Sequence, residues 1–124
     1  MSQEESLSIV HEYVAAVNAF DIERIMRNFT ADALVNDARR EFAGTEAIRD
    51  WASREIVGDH VTMDLVEVIP RGAEVVVRAR FDGDFDKTGL PPELILTSYF
   101  TVREGKISTM IVIFNRPSSA PARG

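Results

Sequence analysis

Helix-forming and strand-forming patterns occupy separate parts of this chain, and this separation limits the possible folds more than any other feature of the sequence. Apolar residues recur at helical spacing in segments that end before residue 59, whereas strands and turns follow from His60 onward. Helices clustered first and strands clustered last predict an α+β domain, in which the helices pack on one face of an antiparallel sheet.

Three helices are predicted in the first half of the chain. The first starts at a capping box that begins with Ser2 and continues to about Phe20, the second follows a cap at Asp21, and the third covers residues 45–58. Trp51 lies among the apolar residues of the third helix. It is therefore either a core residue or part of a pocket wall.

Six strands are predicted, two short ones between the second and third helices and four after residue 60. Their predicted bounds are Ala33–Asp37, Glu41–Ala43, Val61–Ile69, Glu74–Asp82, Leu94–Val102 and Ile107–Asn115. Both faces of the last strand are apolar, which predicts that helices cover one face and a second subunit covers the other. Together with Ile95 and Tyr99, this strand predicts a homodimer formed through the outer face of the sheet.

The size and composition of the chain predict one domain. Its 124 residues are 45% hydrophobic and 27% charged, which is typical of a single globular domain, here over residues 1–115. Residues 116–124 contain two prolines, two serines and a glycine, so they are predicted to form a mobile tail. The chain has no cysteine. Carboxylates, two histidines and hydroxyls are therefore the groups left for any chemistry.

The charge of the chain argues against nucleic acid as a partner. The formal net charge is −6 and the sequence pI is about 4.9, so a binder of phosphate backbones is not expected. The first eight residues are polar and acidic, and the longest apolar runs, Tyr13–Val17 and Met110–Phe114, are too short to cross a bilayer. We therefore expect a cytoplasmic protein with no membrane partner.

The sequence predicts neither a metal nor a cofactor. One acidic segment matches the ligand positions of a calcium loop with Asp82, Asp84, Asp86, Thr88 and Glu93. However, Lys87 stands where that loop needs glycine, and strands flank the segment in place of helices. His11 and His60 lie too far apart in sequence to form a chelating pair on one helix. No glycine-rich phosphate loop, nucleophile elbow or dinucleotide fingerprint is present.

Residues 5–115 resemble a known superfamily. The most specific stretch begins with Asp21-Ile22-Glu23-Arg24-Ile25, continues with Phe29-Thr30-Ala31-Asp32-Ala33 and Asp37, and ends with Phe42-Ala43-Gly44-Thr45-Glu46-Ala47-Ile48-Arg49. In order and spacing it is similar to the second helix, first strand and third helix of the nuclear transport factor two-like superfamily. That superfamily includes ketosteroid isomerases, scytalone dehydratases, limonene epoxide hydrolases and SnoaL-like polyketide cyclases. The resemblance implies a cone-shaped curved sheet with three N-terminal helices on its concave face.

The resemblance also implies candidate catalytic residues. The general base of ketosteroid isomerases is an aspartate that ends the first strand, and Asp37 has that position. Their oxyanion tyrosine stands eight residues before the aspartate that begins helix two, as Tyr13 does here. Their partner acid falls on Ser98 and their supporting tyrosine on Ala52, so two of the four positions differ. Ser98 could still act as a second, weaker hydrogen-bond donor.

The implied pocket lies at the open end of the cone. Its predicted apolar lining consists of Val35, Trp51, Leu96, Phe100, Met110, Val112 and Phe114. Such a pocket would partly desolvate Asp37 and make it more useful as a base. Asp37 could instead be only a turn residue, and Tyr13 only a core aromatic. Arg39 and Arg40 could bind an anionic group or favour the charged form of Asp37, or they could be a solvated hairpin tip.

These residues predict a cofactor-free enzyme of the isomerase, cyclase or dehydratase kind. It would act on a small, largely apolar carbonyl compound, with Asp37 as acid and base and Tyr13 as hydrogen-bond donor. The alternative is a module of the same fold that binds a small ligand, or forms a dimer, without catalysis.

Overall fold

The computed structural model describes residues 2–114. The predicted tail, residues 116–124, and the predicted end of the last strand at Asn115 lie outside the described residues. Three helices precede most of the sheet: α1 (Gln3–Asn18), α2 (Ile22–Arg27) and α3 (Thr45–Trp51). A π-helical turn, Ala52–Val57, continues α3. Within residues 2–114, no helix is both long enough and apolar enough to cross a membrane.

The helix starts form for the local reasons that the sequence indicated. Ser2 Oγ accepts a hydrogen bond from Glu5 N at 3.1 Å, and Ser2 N donates to Glu5 Oε1 at 2.9 Å, which together make the predicted capping box. Asp21 Oδ1 accepts a hydrogen bond from Arg24 N at 3.2 Å at the start of α2. These bonds satisfy backbone donors that have no partner within the helix.

The six strands form one sheet in the order β2-β1-β6-β5-β4-β3. Their bounds are β1 (Phe29–Asp37), β2 (Arg40–Ala43), β3 (Thr62–Arg71), β4 (Glu74–Asp82), β5 (Leu94–Arg103) and β6 (Lys106–Phe114). The sheet is curved and does not close, and register shifts interrupt the β1–β6, β3–β4 and β5–β6 pairs. Such irregularities bend a strand and increase its twist. The predicted α+β class is confirmed.

One strand pair differs from the antiparallel prediction. β1 and β6 run parallel, with Val35 beside Met110 and Asp37 beside Val112. A long stretch of chain separates these two strands, so no tight hairpin forces them to be antiparallel. All other neighbouring strands pair in the antiparallel direction.

The core lies between the helices and one face of the sheet. Val75, Val77 and Ala79 of β4 are fully buried on that face, as their alternation predicted. α1 packs against β3 and β4, and α3 packs against β1 and β2. Trp51 at the end of α3 is only 2% exposed. The helices therefore cover the inner face and leave a space beside the ends of β1 and β6.

Candidate functional site

A cavity of about 350 Å³ lies within the curved sheet and is bounded by α1, α3 and the π-helical turn. Its walls are mostly apolar. Its apolar lining residues are Ala38, Trp51, Ile56, Val61, Met63, Phe81, Phe85, Leu90, Leu94, Leu96, Met110 and Val112, and its polar ones are Tyr13, Asp37, Arg40, Glu55, Asp59 and Ser98. A volume of this size is at the lower end of the range for small-molecule sites, which is about 300–1,000 Å³.

Asp37 is the last residue of β1 and is held in the cavity wall by two donors. Its Oδ2 accepts a hydrogen bond from Trp51 Nε1 at 3.1 Å and one from Arg40 Nη2 at 2.9 Å. Both donors bind the same oxygen, and within residues 2–114 no hydrogen bond is made to the other carboxylate oxygen, Oδ1. Asp37 also precedes a tight turn at Ala38 and Arg39, so it lies at the corner of the hairpin as well as in the cavity wall.

Arg40 connects Asp37 to a second carboxylate. It donates to Glu55 Oε2 through Nη1 at 2.9 Å and to Glu55 Oε1 through Nη2 at 2.7 Å. The hydrogen bonds from Arg40 lower the pKa of Glu55 below its usual value. The same hydrogen bonds raise the pKa of Arg40. The bidentate geometry fixes the guanidinium beside the cavity, over the ring of Phe42.

Tyr13 presents a buried phenol to the same cavity. Its ring packs edge-on against Phe29 and Phe100, with 5.6 Å between ring centroids in each pair. Burial raises the pKa of Tyr13 well above its usual value, and the negative charge of Asp37 raises it further. The hydroxyl therefore keeps its proton at neutral pH and can donate a hydrogen bond. Tyr13 is thus both a core aromatic, as one alternative predicted, and a lining residue.

The structure brings most of the predicted site residues together. The lining includes Tyr13, Asp37, Trp51, Leu96, Ser98, Met110 and Val112. Of the described residues that were predicted to line the pocket, Val35, Phe100 and Phe114 do not do so. Val35 and Phe100 are buried in the core, and Phe114 is half-buried opposite Leu96. The cavity is therefore shorter along the strands than the resemblance implied.

Several lining residues were missed in the sequence analysis. Glu55 lies four residues after Trp51, so helical spacing alone would have placed the two near each other. Phe85 and Leu90 belong to the acidic segment between β4 and β5, which the sequence analysis considered only as a calcium-loop pattern. That loop is held to the segment that follows the π-helical turn, because Asp84 N donates to Asp59 O at 2.6 Å. No periodic pattern marks such a loop contact.

The acidic segment makes ion pairs within the protein. Asp82 pairs with Lys87, and Asp84 lies 2.7 Å from His60 Nδ1. Across residues 2–114, no group of three or more histidine, aspartate or glutamate side chains is arranged to hold a metal ion. The absence of a cofactor stays a prediction.

Comparison with known proteins identifies the family. The model of the SnoaL-like domain matches residues 10–110, and the chain belongs to this family. The predicted relationship to the nuclear transport factor two-like superfamily is thereby confirmed. No curated protein sequence matches the chain.

Several solved structures share the fold. The epoxide hydrolase/cyclase-like enzyme SalBIII, described as acting in pyran ring formation in salinomycin, is 25% identical with a TM-score of 0.79, over 90% of this chain and 92% of that one. A candidate polyketide cyclase from Sinorhizobium meliloti is 26% identical with a TM-score of 0.73, over 85% and 93% of the two chains. A candidate ketosteroid isomerase from Kribbella flavida is 12% identical with a TM-score of 0.78, over 95% and 83%. The last likeness concerns the fold alone.

Proposed function

We propose that this chain is an enzyme of the isomerase, cyclase or dehydratase kind that acts on a small, largely apolar carbonyl compound. The observation that carries the proposal is the carboxylate of Asp37, held by Trp51 and Arg40 in the wall of an apolar cavity. Similarity to a cyclase-like enzyme and to a candidate polyketide cyclase supports the same class of reaction.

The proposed reaction starts with removal of a proton next to a carbonyl group. The free oxygen of Asp37 takes the proton, and the electron pair of the C–H bond moves towards the carbonyl oxygen. Tyr13 donates a hydrogen bond to that oxygen as its negative charge develops, and Ser98 is a second candidate donor in the same lining. Asp37 then returns the proton to the same or another carbon atom. The apolar walls keep water away from the charged intermediate.

The alternative function is binding of a small ligand without catalysis. One observation favours it: Arg40 forms an ion pair with Asp37 at 2.9 Å. The ion pair engages the carboxylate, so Asp37 can hold the β1–β2 turn and the cavity wall together without taking part in proton transfer. In this alternative a carbonyl compound binds in the cavity, but none of its carbon-bound protons exchanges with solvent.

Proton exchange with deuterium oxide distinguishes the two functions. Small cyclic and open-chain ketones are incubated with the protein in deuterium oxide, and mass spectrometry measures deuterium uptake next to the carbonyl group. We expect uptake above the rate in buffer alone, and we expect its loss in Asp37→Asn. Asp32→Asn is the matched control, because Asp32 lies on the same strand but pairs with Arg103 on the surface. Uptake that is equal in wild type and Asp37→Asn contradicts the proposal.

We also propose that the outer face of the sheet forms a homodimer. Tyr99 and Ile111 are direct neighbours across β5 and β6, and they are 42% and 38% exposed. Ile113, two residues along β6, is 46% exposed. Adjacent exposed apolar side chains of this size favour contact with a second copy of the same surface.

A further inference from the structure

The charged residues that line the cavity are three carboxylates and one arginine. Asp37, Arg40, Glu55 and Asp59, which we call the charged rim, are partly or fully exposed and line the cavity. Arg40 is the only lysine or arginine among the lining residues that the structure describes. Any favourable ion pair between the cavity and an anionic ligand would therefore have to come from this guanidinium.

Most of the hydrogen-bond donors of Arg40 are already used within the protein. Its Nη1 and Nη2 bind the two oxygens of Glu55, its Nη2 also binds Asp37, and its Nε donates to the Asp37 carbonyl oxygen at 3.4 Å. A guanidinium has five N–H donors, and these contacts use four of them. A ligand carboxylate would have to compete with two carboxylates of the protein for the bidentate edge.

We infer that Glu55 determines the charge specificity of the cavity by occupying Arg40, so that the site accepts neutral carbonyl compounds and rejects carboxylates. This inference rests on the proposed function only in taking the cavity as a ligand site. Three carboxylates against one guanidinium leave the charged rim negative. The carboxylates of the charged rim therefore repel an anionic ligand, and the guanidinium of Arg40 is not free to bind it. Glu55 acts through Arg40, and no direct role in the reaction is assigned to it.

Binding of two matched probes tests the inference. The probes are 4-tert-butylcyclohexanone and 4-tert-butylcyclohexanecarboxylate, which differ mainly in charge. Trp51 is the only tryptophan of the chain and lines the cavity, so its fluorescence reports binding. In the wild type we expect the ketone to bind at least about tenfold more tightly than the carboxylate, as loss of one charge-assisted hydrogen bond would give.

Two substitutions of Glu55 should reverse this preference. Glu55→Gln removes the charge and one of the two acceptor oxygens that Glu55 presents to Arg40, and Glu55→Ala removes both of these oxygens. We expect carboxylate affinity to rise by about tenfold or more in Glu55→Ala and by less in Glu55→Gln, while ketone affinity changes little. Adding Arg40→Gln to Glu55→Ala should abolish the gain. Thermal unfolding of each variant shows whether it is folded.

Asp59→Asn is the matched control. Asp59 lines the same cavity and carries the same charge, but Arg40 donates its side-chain hydrogen bonds to Asp37 and Glu55. An equal gain in carboxylate affinity in Asp59→Asn and in the Glu55 variants would overturn the inference, because general charge removal would then explain it. Failure of both Glu55 variants to bind the carboxylate more tightly would also overturn it. Because the readout is binding, a missing proton exchange would contradict only the proposed function.

Discussion

At the scale of the residue, the buried phenol of Tyr13 has a measurable consequence for stability. The folded protein surrounds Tyr13 with Phe29 and Phe100 and keeps Asp37 near it, and burial is the main cause of its raised pKa. In the unfolded chain the phenol ionises near its ordinary pKa of about 10. The folded state therefore holds a proton that the unfolded state loses at alkaline pH.

This difference predicts a specific loss of stability in alkali. Below pH 10 both states are protonated and the contribution of Tyr13 is fully present. As pH rises above the unfolded pKa, the free energy of unfolding falls by up to about 1.4 kcal/mol per pH unit. Tyr13→Phe has no phenol to ionise and lacks this loss. Denaturant unfolding between pH 8 and about pH 11 should therefore show the free energy of unfolding of the wild type falling relative to that of the variant. Parallel curves for the two proteins would contradict a phenol that stays protonated.

At the scale of the element, the β1–β2 turn positions the charged rim at a conformational cost. Ala38 and Arg39 have φ values of +53° and +72°, a region that residues with a Cβ adopt reluctantly. The tight turn makes Asp37 and Arg40 direct neighbours across the two strands. Two-residue turns of this kind match the twist of the flanking strands and favour glycine at the second turn position.

Arg39 gives a test of that cost. Arg39→Gly should raise the free energy of unfolding by about 0.5 kcal/mol, because relief of the left-handed strain exceeds the entropic cost of glycine. Arg39→Val should lower it by about 1 kcal/mol, since a branched side chain suits this conformation least. Thermal unfolding measures both. Arg39 is not among the described residues that line the cavity, so exchange activity should be unchanged in both variants. Loss of exchange activity in either variant would show that Arg39 contributes to the site.

The elements also show where sequence reasoning succeeds. The bounds of β4 agree with the prediction, because its strict alternation continues from Val75 to Phe81 without a break. β1 starts at Phe29 in place of the predicted Ala33, since its register shifts between Phe29 and Leu34 and the alternation is lost there. The π-helical turn after α3 was not predicted, because its apolar positions do not differ from those of an ordinary helix.

At the scale of the whole molecule, the proposed dimer is tested by mass in solution. At micromolar concentration, light scattering should give twice the 13.8 kDa of one chain. Ile111→Glu places a charge in the proposed interface and should give a monomer. Phe20→Glu makes the same kind of change at an exposed apolar residue outside the sheet, and it should remain dimeric. A monomeric wild type would contradict the interface.

The site as a whole was only partly predictable from the sequence. The resemblance implied that Asp37, Ser98 and Val112 belong to the pocket, and all three line the cavity. Val35, Phe100 and Phe114 lie on the same strand faces as these residues. Alternation along a strand identifies the face of a residue, but not whether the cavity extends as far as that residue. The position of Glu55 beside Arg40 depends on how the π-helical turn after α3 packs near the β1–β2 turn. Such long-range packing leaves no local signature in the sequence.

The rate of deuterium uptake by a ketone, compared between wild type and Asp37→Asn, decides whether Asp37 is the base. Asparagine has the shape of aspartate and can still accept hydrogen bonds from Trp51 and Arg40, but it cannot take a proton from carbon. We predict a fall of about a hundredfold or more, the usual contribution of a general base, with thermal unfolding showing a folded variant. A rate within about twofold of the wild type would show that Asp37 is not the base.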